Sequence, residues 1–110
     1  MSFTGNEGAY ITLTQGNAWT ANYRNAHPNS VKAHFYGKTK LQEVLNQSGC
    51  VGIRIYRAID DTGVEELVLV GVNANGSDLT GGLILDRSFA CPPYCDTFSS
   101  LMGYSGPSGG

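Results

Sequence analysis

Three cysteines are the residues whose chemistry reads first. Cys91 and Cys95 stand in a C-x3-C segment, Cys91-Pro92-Pro93-Tyr94-Cys95, and Cys50 is the third. Zinc takes four nitrogen or sulfur ligands, so these thiols with His27 or His34 would complete one site. The pattern is thin for that purpose, because a strong zinc signature carries two closely spaced pairs and this chain has one. The plainer reading is a reduced, buried thiol and a rigid connector near the C-terminus. A Cys91–Cys95 disulfide is geometrically conceivable, but a reducing cytosol opposes it. A thiol nucleophile built from Cys50 and His34 gives a third reading, a cysteine-dependent enzyme.

A second group combines aromatic and cationic side chains. Lys32, His34 and Tyr36 alternate along one expected strand, and Arg54 and Tyr56 along another. Successive strand residues point to opposite faces, so these five are expected to share the sheet face turned away from the helices. Such a face binds a protein partner by stacking and charge-assisted hydrogen bonds, or single-stranded nucleic acid by stacking bases on aromatics. The bland alternative is a solvated sheet face. Asn73, Asn75, Gly76 and Asp78 echo a calcium loop, but the twelfth residue from Asn73 is Ile84, where a bidentate Glu is needed. A plain turn accounts for them. No nucleophile elbow, H-E-x-x-H, phosphate loop or dinucleotide fingerprint is present.

The elements that must position these residues centre on Gly52 to Val72. Ile53, Ile55, Arg57 and Ile59 alternate with Arg54, Tyr56 and Ala58, and Asp60-Asp61-Thr62-Gly63 supplies the turn. Leu67 to Val72 is apolar on both faces, as a central strand would be. Upstream, the spacing predicts a helix capped by Thr14 that ends before Pro28, with Trp19 and Tyr23 on its buried side. A strand over 31–36 follows, then a helix from Thr39 carrying Leu41, Val44 and Leu45, closed by Gly49. Residues 10–13 read as extended, either a short edge strand or a lead-in, and 83–85 as a short edge strand. Residues 1–9 read as a loose arm, 10–96 as the domain, and 97–110 as a glycine- and serine-rich tail expected to be disordered. The order implies a single two-layer α+β domain, a mainly antiparallel sheet of 4–5 strands with two helices on one face. Its expected core is Trp19, Tyr23, Leu41, Val44, Leu45, Ile53, Ile55, Leu67 and Leu69.

Composition narrows the function classes. The 110 residues suit one domain and need neither metal nor disulfide to fold. A net charge of −2 argues against nucleic acid and against anionic membrane surfaces. Residues 1–10 lack the basic and apolar regions of a signal peptide, and no apolar run is long enough to span a membrane, so a cytoplasmic location is expected.

Several phrases carry a resemblance: Ile11-Thr12-Leu13, Trp19-Thr20, Tyr23-Arg24, Val31-Lys32-Ala33-His34-Phe35, Gly52-Ile53-Arg54-Ile55-Tyr56, Val70-Gly71-Val72 and the closing CPPYC. Together, over about residues 10–96, the chain resembles a group of small Bacteroidetes-type bacterial proteins ending in CPPxC, for which no activity is established. The resemblance implies a bacterial cytosolic origin and a CPPxC ending that belongs to the domain. It carries over no catalytic residue. The expected function is therefore non-catalytic: binding of another protein, or self-assembly through unpaired strand edges, with no cofactor. A small zinc protein using Cys50, Cys91 and Cys95 is the alternative.

Overall fold

A computed structural model describes residues 2–104 of the chain. The class is α+β, with two α-helices and five strands among the described residues. The strands fall into two sheets, one of three strands and one of two, where a single sheet was expected. The chain divides into two compact units.

Residues 2–8 and 35–89 form the first unit, which is a helix laid on a sheet. Its frame is the expected hairpin, β2 (Cys50–Ile59) paired antiparallel with β3 (Glu65–Asn73). The register places Ile53 opposite Gly71, Arg54 opposite Val70, Tyr56 opposite Val68 and Ile59 opposite Glu65. The turn is held by Asp60, whose Oδ1 accepts from the backbone N–H groups of Thr62 and Val64 at 2.8 and 3.0 Å. Gly63, at φ 87°, takes the left-handed position that closes the loop. The loop after β3 repeats this construction: Asn73 Oδ1 accepts from the N–H groups of Asn75 and Ser77, and Gly76 sits at φ 83°. A plain turn, not a calcium loop, thus forms over Asn73–Ser77.

β4 (Ile84–Leu85) pairs antiparallel with the other side of β3, giving the order β2-β3-β4. Being central, β3 buries Leu69 on one face and Val70 and Val72 on the other. α2 (Lys38–Leu45) covers the Leu69 face, with Val44 as its buried residue. It begins at Gly37, which makes no side-chain cap, and not at Thr39. The side chain of Gln47 fixes the end of α2: Nε2 donates to the Val44 carbonyl, and Oε1 accepts from the Leu83 N–H, both at 2.8 Å.

Residues 9–34 and 90–104 belong to the second unit. α1 (Leu13–Ala26) is capped by Thr12, two residues before the expected cap, because Thr12 and Gln15 form a reciprocal capping box. The stretch over 10–13, expected as an edge strand or a lead-in, therefore leads into a helix. Its far end docks on η1, a 3-10 turn over Ser100–Met102, where Arg24 donates to the Leu101 carbonyl at 2.7 Å. Gly16 lets Leu101 approach, since a methyl there would stand 3.2 Å from its Cδ2. That turn occupies part of the tail expected to be disordered; the rest of that expectation, residues 105–110, lies outside the described residues. α1 buries no residue completely, and Trp19, expected in the core, is 56% exposed.

The two-stranded sheet pairs β1 (Ala33–Phe35) with β5 (Phe89–Cys91). The rings of Phe35 and Phe89 lie 6.4 Å apart, and the Lys32 N–H donates to the Cys91 carbonyl at 2.6 Å.

Candidate interaction surface

The structure divides the five residues expected on one sheet face. Arg54 and Tyr56 lie on β2, on the face away from α2. His34 lies on β1 in the other sheet, and Lys32 immediately precedes that strand. The Lys32 ammonium is tied locally, donating to the carbonyls of Pro28 and Ser30 at 2.8 and 2.7 Å. Tyr36 points its hydroxyl at the Leu67 carbonyl, 2.9 Å away. Burial, then the charges of Asp86 and Glu66, push the Tyr36 phenol above its ordinary pKa against an opposing hydrogen bond with Ser88. Tyr36 is thus a strap on β3, not part of a flat aromatic platform.

Arg54 and Tyr56 converge instead on Asp78, which the sequence reading had left to the turn. Its two carboxylate oxygens are shared out, Oδ1 accepting from the Arg54 guanidinium and Oδ2 from the Tyr56 hydroxyl. The hydrogen bond to Asp78 is the main reason the Arg54 pKa lies above its ordinary value. Arg54 also donates to the Gly76 carbonyl at 3.3 Å, and its guanidinium sits 5.6 Å over the ring of Phe3. Phe3 is anchored by its own N–H, which donates to the Ala74 carbonyl at 2.7 Å, and Gly76 leaves room for the ring. The segment expected as a loose arm is therefore seated on the first unit. Its next turn is folded around Glu7, whose carboxylate accepts from the N–H groups of Thr4 and Gly5 at 2.8 and 2.9 Å. These bonds, that from Thr4 foremost, hold the Glu7 carboxyl below its usual range.

This clasp neutralises Arg54 inside the chain, so the cation expected to meet a partner is already satisfied. What β2 offers outward is different. In the order β2-β3-β4 it is an edge strand ten residues long, with β3 on one side only. In an antiparallel edge strand, alternate N–H and C=O groups point away from the sheet. At its start the edge is closed: the register slips between Cys50 and Gly52, and Gly5 lies so close that a methyl on it would be 3.1 Å from the Val51 carbonyl oxygen. From Ile53 to Ile59 the register is unbroken and contains no proline. Side chains there are open to solvent: Ile55 is 57%, Tyr56 45% and Ile59 72% exposed. Ile55 was expected in the core, but eight-residue α2 leaves this half of the hairpin uncovered. Arg57, also exposed, makes no hydrogen bond or ion pair among the described residues. Beside Ile53 lies a groove of about 470 Å³, lined by Phe3, Glu7, Val51, Ile53, Ile55 and Val72.

The cysteines form no metal centre. Cys91 and Cys95 are joined in a disulfide across a Cα–Cα distance of 4.8 Å, correcting the expectation of free thiols there. The intervening chain turns back on itself, with the Tyr94 N–H donating to the Ala90 carbonyl at 2.9 Å, which brings the sulfurs together. Two of the three proposed zinc ligands are thereby consumed. Among the described residues no group of three or more His, Cys, Asp or Glu side chains could hold a metal. Cys50 remains free, its thiol donating to the Gly52 carbonyl at 3.2 Å. Nor is any helix among the described residues long and apolar enough to cross a membrane. Comparison with protein-family models, curated proteins and solved structures finds no match.

Proposed function

We propose that this chain is a non-catalytic protein-association module that works by adding a β-strand to the free edge of β2. The observation that carries this reading is the unprotected stretch Ile53–Ile59. Natural edge strands are kept from pairing by being very short, by bulges, by proline, by charged side chains or by a covering helix or loop. β4 is of the short kind, two residues long. The start of β2 is protected by its register slip and by residues 3–7, whereas the stretch 53–59 has no bulge and no proline, carries only Arg54, tied to Asp78, and Arg57 as charges, and adds exposed isoleucines. Main-chain hydrogen bonds would supply the affinity, and the side chains beside the edge the selectivity. The Arg54–Asp78–Tyr56 clasp serves in this reading as a brace that keeps β2 flat against β3. The Cys91–Cys95 bridge supports work in an oxidising compartment, where disulfides persist, over the cytoplasm expected from the sequence.

Sedimentation velocity over a dilution series tests the reading. The purified chain should associate reversibly, and the double variant Ile55→Ser/Ile59→Ser should remain monomeric with an unchanged circular dichroism spectrum. Association that survives both substitutions would remove β2 from the account.

A further inference from the structure

The partner that fits this edge best is a second copy of the same chain. We infer that β2 pairs antiparallel with β2 of another molecule about a two-fold axis at Tyr56, joining two three-stranded sheets into one of six strands. The inference rests on the strand-addition reading above and goes further, to partner, register and symmetry.

A symmetric antiparallel pair must place one residue opposite itself, and the edge leaves few choices. The open stretch runs from Ile53 to Ile59, because Gly5 and the register slip close off Val51. Centring the pair on Arg54 or Arg57 would set two guanidinium groups directly opposite each other, which is destabilising. Centring it on Ile55 would bring Val51, at the closed end, opposite Ile59. Tyr56 is the midpoint of the open stretch. Centring there uses all of that stretch and sets Ile53 opposite Ile59, Arg54 opposite Ala58, and Ile55 opposite Arg57, with no like charges face to face.

The surface relief agrees with that register. Ile59 is the most exposed large hydrophobic side chain of β2, at 72%, and it lies at one end of the open stretch. At the other end, beside Ile53, lies the groove lined by Phe3, Val51, Ile55 and Val72, with Glu7 and Arg54 also lining it. The two-fold operation carries Ile59 of each molecule to the groove of the other. An isologous interface requires such self-complementarity, in which residue i meets residue j and j meets i. The groove wall comes from residues 3–7, a segment tied by the Phe3 N–H to the Ala74 carbonyl and folded on itself around the Glu7 carboxylate.

Cysteine cross-linking of the full chain, in a Cys50→Ser background and without reductant, tests the register. Directly opposed antiparallel residues have Cβ atoms about 4.5–5.5 Å apart, close enough for a disulfide with small adjustment. Tyr56→Cys should give a disulfide-linked dimer under mild oxidation, whereas Ala58→Cys should give at least tenfold less. Mixing Ile53→Cys with Ile59→Cys chains should give a mixed dimer that neither gives alone, and this pair leaves the Tyr56–Asp78 hydrogen bond untouched. A chain that associates in sedimentation but cross-links no better at 56 than at 58 overturns the two-fold register while leaving strand addition standing. A chain that stays monomeric throughout overturns both.

Discussion

Replacing Gly71 by alanine puts the packing of the first unit to a quantitative test. Gly71 lies on the central strand under the end of α2. A methyl group there would stand 2.8 Å from Nε2 of Gln47, 3.0 Å from Sγ of Cys50 and 3.3 Å from Cδ1 of Leu79. Gln47 is not free to yield, because its amide holds both the Val44 carbonyl and the Leu83 N–H. Overpacking of this kind costs about 1–3 kcal/mol. Displacing the Gln47 amide forfeits hydrogen bonds worth about 1 kcal/mol each. Against this, alanine restricts the unfolded chain and returns up to ~1 kcal/mol. The net loss is then roughly 2–4 kcal/mol, which in a chain of this size lowers Tm by roughly 10–30 °C. Gln47→Ala alone should cost about 1–2 kcal/mol, and it removes the tightest of the three contacts the new methyl would make, leaving those with Cys50 and Leu79. The double variant should therefore be no less stable than Gly71→Ala, a coupling of about 1 kcal/mol or more. Urea unfolding followed by circular dichroism, at one fixed protein concentration because association adds to apparent stability, measures all four corners. A Gly71→Ala chain within ~0.5 kcal/mol of the parent, or costs that simply add, would refute this packing.

Two further outcomes follow from local chemistry. Thiol titration of the unfolded, unreduced chain should find one reactive cysteine, Cys50, and three after reduction; three at the outset would remove the Cys91–Cys95 bridge. Asp60 is held below its ordinary pKa of 3.8, first by the Thr62 hydroxyl and then by the N–H groups of Val64 and Thr62. A depressed carboxylate contributes stability that is fully present above the unfolded-state pKa and is lost as pH falls through the folded one. The β2–β3 turn should accordingly hold from neutrality down to about pH 4 and loosen below, and Asp60→Asn should flatten that acid limb. An acid limb identical in the variant would assign it to other carboxylates.

The sheet hairpin was legible because its signals are local. Alternation along Ile53–Ile59, the apolar run Leu67–Val72 and the Asp-x-Thr-Gly turn each act within a few residues. The cap of α1 lies two residues before Thr14 because Thr12 and Thr14 are both capable caps, and only Gln15, three residues after Thr12, distinguishes them. β5 and η1 are three residues each and owe their form to distant partners, so no periodicity announces them. Asp78 was hidden by its neighbours: Asn73 to Ser77 reads as a turn, and the residue after it was absorbed into that reading. The available signal was a lone acid one strand beyond an Arg-x-Tyr pair on the same face. Trp19 and Ile55 are expected in the core from their places on the apolar face of a helix and of a strand. Their exposure reflects helices that cover only part of what the pattern offers, and the uncovered part of β2 is where the association reading begins.

Amide hydrogen exchange resolved residue by residue along β2, at high and at low protein concentration, tests that reading most directly. Half of the amides between Ile53 and Ile59 face β3 and should be protected at any concentration. The alternate amides face outward, and they should be protected when the chain is concentrated and exchange freely on dilution. Outward amides that exchange at the same rate at both concentrations would contradict pairing at this edge.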